Sequence, residues 1–270
     1  MSNSGIRPCR GLSLFVCSLV IFQCVIPPVV VRADGGGTVV AGNATIASEG
    51  TTLNVTSLSD RTVIDWQGFS VDAGHTANFL QPSATSAVLN RVVTPNNPSA
   101  IYGTLNSNGN VFLVNPSGIV VGASGVINTN GFTASVLDIP NHEFMQGGPL
   151  TFRGDSTASV LNQGTIQTGS GGAALIGGNV INEGTIISDG GSISLVTGGS
   201  VTLADGSRFS HADLATIESG ISPYASVIRN SGTIRATGAL EAGGEVYLVN
   251  PGGKVLQQGL IAAAKNTPAT

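Results

Sequence analysis

Residues 109–139 read GNVFLVNPSGIVVGASGVINTNGFTASVLDI. Val111, Leu113, Ile119, Val121, Val126 and Phe132 are separated by small or turn-forming residues, and each apolar run closes on Gly, Asn or Pro. Short runs of this kind predict strands joined by tight turns and leave no room for a helix. In Asn115-Pro116-Ser117-Gly118, Asn suits the first turn position, Pro presets φ at the second and Gly relieves the fourth, which predicts a type I turn at a surface corner. The wording returns as GEVYLVNPGGKV over residues 244–255. A turn used twice in one chain predicts a repeating coil.

The repeat becomes countable from Leu161. Asn162-Gln163-Gly164-Thr165-Ile166, Asn182-Glu183-Gly184-Thr185-Ile186 and Asn230-Ser231-Gly232-Thr233-Ile234 share the form Asn-x-Gly-Thr-Ile. The first two lie 20 residues apart and the next two 48 apart, which reads as two coils plus a bulge over Asp205–Ser226, the segment holding His211, Asp213, Glu218 and Pro223. Leu175 and Leu195 keep the same phase. A period near 20 with short strands marks a β-solenoid, in which stacked coils share one core that no coil could bury alone. Asn at fixed phase predicts a hydrogen-bonded amide ladder at one corner. If every coil were regular, the residues after Ala33 would make roughly eleven coils, a rod on the order of 50 Å long.

Composition agrees. The chain of 270 residues holds 38 Gly and only 10% charged residues, where globular domains carry about a quarter. Net charge is −4, and three of its eleven basic residues, Arg7, Arg10 and Arg32, fall in the first 33 positions. The eight that remain face fifteen acids, a net of 8 − 15 = −7 over residues 34–270, which does not suit a polyanion and argues against nucleic acid as a partner.

Residues 1–33 read as a secretory signal peptide: Arg7 and Arg10, an apolar run from Leu12 to Val31, and Val31-Arg32-Ala33 before a cut after Ala33. The run approaches the ~20 residues of a membrane span. Pro27-Pro28 and the following Asp34-Gly35-Gly36-Gly37 favour cleavage. Cys9, Cys17 and Cys24 all lie inside this leader, and no small residues precede them as a lipoprotein signal requires. The remaining chain carries no cysteine and so no disulfide that would lock it before export.

Four segments, in order, resemble one family. Leu113–Ile119 is similar to the NPNGI motif of the secretion domain in filamentous haemagglutinin-type exoproteins. Ile64-Asp65-Trp66-Gln67-Gly68-Phe69-Ser70-Val71 resembles its Trp-x-x-Phe strand. Phe79–Ser83 with Ala87-Val88-Leu89-Asn90-Arg91-Val92 resembles its FxQP and AxLNRV segments. Ala134–Ile139 resembles its ASTLDI segment. The resemblance implies an all-β fold: a right-handed single-stranded parallel β-helix with an N-terminal β cap over about residues 34–80 and extra-helical excursions, the whole domain running over 34–270. It also implies a two-partner secretion exoprotein, adhesin- or haemagglutinin-like. Such a protein is exported through the periplasm and handed to a cognate outer-membrane barrel with POTRA domains, then to the cell surface or medium of a Gram-negative-type envelope. A host or cell-surface receptor or glycan is the further partner implied. Asn115, Pro116, Ser117, Gly118 and Ile119 would form the secretion motif. Ser117 stands where the motif has a second Asn, and Gln81-Pro82-Ser83 stands where a separate Asn-Pro-Asn-Leu would be expected. The second departure resembles the high-molecular-weight adhesin branch.

Parallel β-helices also carry polysaccharide-cleaving enzymes, so the alternative is a free-standing β-helix acting on or binding polysaccharide. That chemistry needs converging carboxylates, often around Ca²⁺. The fifteen acids are dispersed, with Asp60/Asp65, Glu241/Glu245 and Asp205/Asp213/Glu218 the nearest groupings. No metal-ligand spacing, phosphate loop or nucleophile triad stands out, and no cofactor is expected. His142-Glu143, within Pro140–Pro149, reads as part of a solvated loop. Trp66, the single tryptophan, reads as core or cap. Asn43-Ala44-Thr45 and Asn54-Val55-Thr56 match glycosylation acceptors and read as ordinary strand and turn residues.

Overall fold

The structure is a computed structural model describing residues 36–204, 209–213, 226–238, 245–251 and 253–265. The leader with its three cysteines and the cut after Ala33, together with Asp205, Glu218, Pro223 and Glu241, lie outside the described residues.

One coil shows the plan. Thr104–Ser107, Asn110–Val114 and Ile119–Val121 are three short strands separated by corners, and each belongs to a different face of a three-sided helix. On the first face Leu53, Ala77, Leu105, Ile127, Ile166, Ile186, Ile234 and Ile261 stand in parallel register, one above the next. The second face stacks Val111, Phe132, Ala173, Ile193 and Val246. The third stacks Ile119, Val160, Val180, Ile228 and Val255. Apolar residues thus meet coil after coil, and the core is a continuous column. The first face has eight strands among the described residues, fewer than eleven because long insertions leave the coil.

Antiparallel pairing closes the N-terminal end. Thr38–Ala41 runs antiparallel to Arg61–Trp66, and Ala44–Glu49 antiparallel to Thr52–Ser57. Both first-coil strands are covered in this way, which removes open edges that would otherwise pair with other chains. Parallel stacking has already begun at Thr52–Ser57 on Thr76–Leu80, inside the stretch assigned to the cap. Trp66 lies fully buried beneath this cover, and a Cβ at Gly37 would sit 2.6 Å from its ring.

The amide ladder is present. Asn162 Nδ2 donates to Asn182 Oδ1 at 2.7 Å, Asn182 Nδ2 to Asn230 Oδ1 at 2.7 Å, and Asn230 Nδ2 to Gln257 Oε1 at 3.0 Å. All three asparagines are fully buried, where a lone amide would be costly. The ladder stops at Asn162 because Val121 occupies its place one coil earlier and offers no donor. Asn182 pairs directly with Asn230, so the 48-residue step is one coil plus an excursion, and the reading of two coils is corrected. An insertion that leaves the coil need not preserve its period.

Two excursions meet outside the second face. Pro140–Pro149 is not a solvated loop. It contains the helix Asn141–Gln146, and His142 is exposed while Phe144 is fully buried. Leu150–Arg153 follows and pairs antiparallel with Ser200–Leu203, which pairs with Phe209–Asp213. Phe144 and Phe152 lie against Phe112, with centroids 5.3 and 6.5 Å away. The second face is therefore covered on both sides. That explains its unbroken apolar runs such as Val111–Val114 and Ala173–Ile176, where a one-sided sheet would alternate.

The buried ladder generates a prediction. Asn182→Ala strands a buried donor on Asn162 and a buried acceptor on Asn230, at an expected loss of about 3 kcal/mol. The half-exposed ladder of Asn54, Asn78 and Asn106 on the first face has bonds of 3.0 and 3.1 Å. Water can replace those bonds, so Asn78→Ala should cost under about 1 kcal/mol. Urea midpoints at unchanged slope separate the two, and equal losses would contradict the assignment.

Candidate functional site

The strand Asn110–Val114 ends at Asn115 because Pro116 has no N–H to continue the ladder. Asn115 is fully buried and ties three successive coils together. Its backbone N–H donates to Ser135 O at 2.9 Å in the coil that follows. Its Nδ2 donates to Asn97 O at 2.8 Å and Ser99 Oγ at 2.9 Å in the coil before. Within the turn, Asn115 Oδ1 accepts from Ser117 N at 2.9 Å and Asn115 O accepts from Gly118 N at 3.0 Å. Ser117 keeps a negative φ, as a type I turn requires. The motif's departure at this position is harmless to the turn, since only the Ser117 backbone is used.

Gly118 takes φ 110°, and a Cβ there would lie 3.3 Å from Ser159 O of the next coil. Both facts call for glycine. Ile119 is fully buried in the third-face column. Pro116 is exposed, Ser117 half-buried, and Pro116 O accepts from Ser156 Oγ at 2.6 Å. The five motif residues divide accordingly. Asn115, Gly118 and Ile119 are built into the coil stack, and Pro116 and Ser117 are presented outward. The expectation of a simple surface corner is corrected for Asn115, whose amide is part of the interior.

The second copy of the turn occupies the same corner. Val246 stands in the column of Val111, and Asn250 Nδ2 donates to Ser226 O at 3.1 Å one coil earlier. Ser226 Oγ donates back to Asn250 Oδ1 at 2.9 Å.

The remaining motif segments, far apart in sequence, converge on a fastening. Asn90 sits in the inward column between Ile64 and Leu113 and is fully buried. Its Oδ1 accepts the Trp66 indole N–H at 3.0 Å, satisfying the two buried polar groups together. Its neighbour Arg91 faces outward. There the guanidinium donates to Asp138 Oδ1 at 2.8 Å, Asn141 Oδ1 at 2.8 Å, Ile139 O at 2.7 Å and Asp65 Oδ1 at 3.3 Å. Arg91 thereby pins the start of the first excursion to the second face. Sequence reading missed this role. The available signal was an Asn-Arg pair inside an apolar strand, where each polar group must find a partner.

Acids elsewhere are engaged in the same manner: Glu143 pairs with Arg153 at 2.9 Å, and Glu183 pairs with Arg229. Among the described residues no group of three or more His, Cys, Asp or Glu could hold a metal ion.

Residues 31–236 match the family model described as TPS secretion domain. The chain belongs to this family. It is 31% identical over 214 residues to a heme/hemopexin-binding protein of Haemophilus influenzae, covering 74% of this chain and 22% of that protein. The chain thus spans about a fifth of that relative's length. A second heme/hemopexin-binding protein of the same species is 34% identical over 98 residues, covering 35% of this chain and 10% of that protein. Among solved structures, the HMW1 secretion domain from Haemophilus influenzae superposes with TM-score 0.70 at 34% identity, over 85% of this chain and 66% of that one. The parallel β-helix and the likeness to the high-molecular-weight adhesin branch agree with the sequence reading.

The Arg91 fastening is testable. Arg91→Lys keeps the charge but cannot reproduce a fork that reaches four oxygens. Loss of these charge-assisted bonds should cost about 2 kcal/mol and speed limited proteolysis within residues 140–149. Full protection in the Lys variant would show that charge alone suffices.

Proposed function

We propose that this chain is the secretion-targeting part of a two-partner secretion exoprotein. Residues 1–33 act as a cleaved signal peptide, and residues 34–270 form one secretion domain. The domain is recognised by a cognate outer-membrane transporter with periplasmic POTRA domains and exported to the cell surface or medium. The carrying observation is the division of the Asn115–Ile119 corner in a chain of this family. Three residues are bound into the coil stack, while the adjoining Pro116 and Ser117 remain accessible.

The physical chemistry supports export before folding. A cysteine-free, weakly charged, strand-rich segment can be held by strand addition to a partner sheet. Outside, each finished coil templates the next, so folding opposes return. The domain acts without catalysis, and an adhesive role lies with the whole exoprotein. The ion-paired carboxylates favour this over the polysaccharide-acting alternative, because Asp65 and Asp138 meet only to bind Arg91.

The test separates recognition from stability. Asn115→Ala strands buried partners and should cost about 2 kcal/mol. Pro116→Ala touches an exposed position and should change stability by no more than about 0.5 kcal/mol. In cells expressing the transporter, Pro116→Ala with Ser117→Ala should lower the ratio of extracellular to periplasmic protein severalfold at an unchanged melting midpoint. Export that follows the midpoint alone across these variants would reduce the turn to a structural corner. Export without the transporter would overturn the whole reading.

A further inference from the structure

The second copy of the Asn-Pro turn has no part in the function proposed above. Residues 109–118 read GNVFLVNPSG and residues 244–253 read GEVYLVNPGG, so Gly, Val, Leu, Val, Asn, Pro and Gly recur at the same places. We propose that the turn carrying Asn250, Pro251, Gly253 and Lys254 is a second contact for the transporter that binds the Asn115–Ile119 turn. The inference rests on the reading of that first turn as a transporter contact.

The two turns share one corner of the coil stack. Val114, Ser135, Ile176, Val196 and Val249 stand in register along the second face, and Asn115 and Asn250 follow directly on the first and last of them. Four strand spacings separate the turns, about 19 Å, and both lie on the same side of the stack. The corner itself does not demand Asn-Pro. One strand ends at Gly177 and the next begins at Asn179, so a coil between the two turns rounds this corner on Gly177-Gly178 with no proline. A purely structural need would bind that coil as well.

Like the first turn, the second divides into a bound part and a presented part. Asn250 Nδ2 donates to Ser226 O at 3.1 Å in the coil before and to Lys254 O at 3.0 Å within its own turn. A Cβ at Gly253 would collide with the Asn250 amide and with Ser226 O, so the position calls for glycine as Gly118 does. Pro251 is half-buried and Lys254 is exposed, which leaves these two for a partner to touch. Lys254 also gives this turn a charge that Asn115–Ile119 lacks. Two contacts in one chain make the second binding step intramolecular, so turns that hold weakly alone hold tightly together.

Export in cells expressing the transporter tests this, with the melting midpoint of each purified variant measured beside it. Pro251→Ala and Lys254→Glu should each lower the ratio of extracellular to periplasmic protein severalfold at an unchanged midpoint. Gln258→Ala, exposed at the next corner of the same coil, should leave the ratio as it was. Adding Pro116→Ala and Ser117→Ala to either second-turn variant should lower export below that of either turn altered alone. Native export of both second-turn variants, with the Pro116/Ser117 variant held in the periplasm, overturns the second contact and leaves the first standing. Export that falls only in step with the midpoint makes the second turn a structural corner and overturns it too. Native export of every turn variant overturns both contacts together.

Discussion

No coil of this protein can bury its own apolar residues. Each presents about one inward residue pair per face, and water is excluded only when another coil lies above and below. That dependence accounts for the unbroken apolar columns, Leu53 through Ile261 on the first face being the clearest. It also accounts for the antiparallel cover at the N-terminal end, where the first coil has no predecessor. Polar groups caught inside the stack obey the same rule. Asn162, Asn182 and Asn230 bond to one another across coils, as Asn115 does to Asn97, Ser99 and Ser135.

The second face shows how stacking and excursions are coupled. Val63, Leu89, Phe112 and Ala174 are on its outer side, yet all are buried. They are buried because the chain leaves the coil after Ser135 and again after Thr197 and lays the two detours over them. Arg91 and Arg61 stand at the two margins of this overlay. One is locked by two aspartates and an amide, and the other faces a pocket. The outer layer therefore stabilises a face that would otherwise expose a large apolar patch.

Much of this was legible in the chain. The Asn-x-Gly-Thr-Ile phase located the buried ladder because strand register carries sequence spacing directly into space. The two copies of the Asn-Pro turn marked one corner for the same reason. Where the period breaks, reading failed. The step from Asn182 to Asn230 hid a single coil behind an excursion, and Pro140–Pro149 hid Phe144 among polar neighbours. Arg91 meets Asp138 and Asn141 across 47 and 50 residues, and no repeat links them. The secretion corner was recognisable as a motif, but its division into buried and presented residues required the neighbouring coils.

Stacking also sets an order of folding. Among the described residues, the buried aromatic side chains Trp66, Phe69, Phe79, Phe112, Phe132, Phe144 and Phe152 all precede Arg153. Later coils rely on Ile, Val, Leu and Ala, and the strand Lys254–Gln257 is exposed throughout. A chain emerging N-terminus first would complete its strongest coils first and build the rest on them. Pulsed hydrogen exchange during refolding measures this directly. The account predicts that the amides of Leu53, Ile64 and Val88 gain protection in the earliest phase, and those of Ile228 and Val255 in the last. Simultaneous protection of all five, or the reverse order, would contradict growth from the capped end.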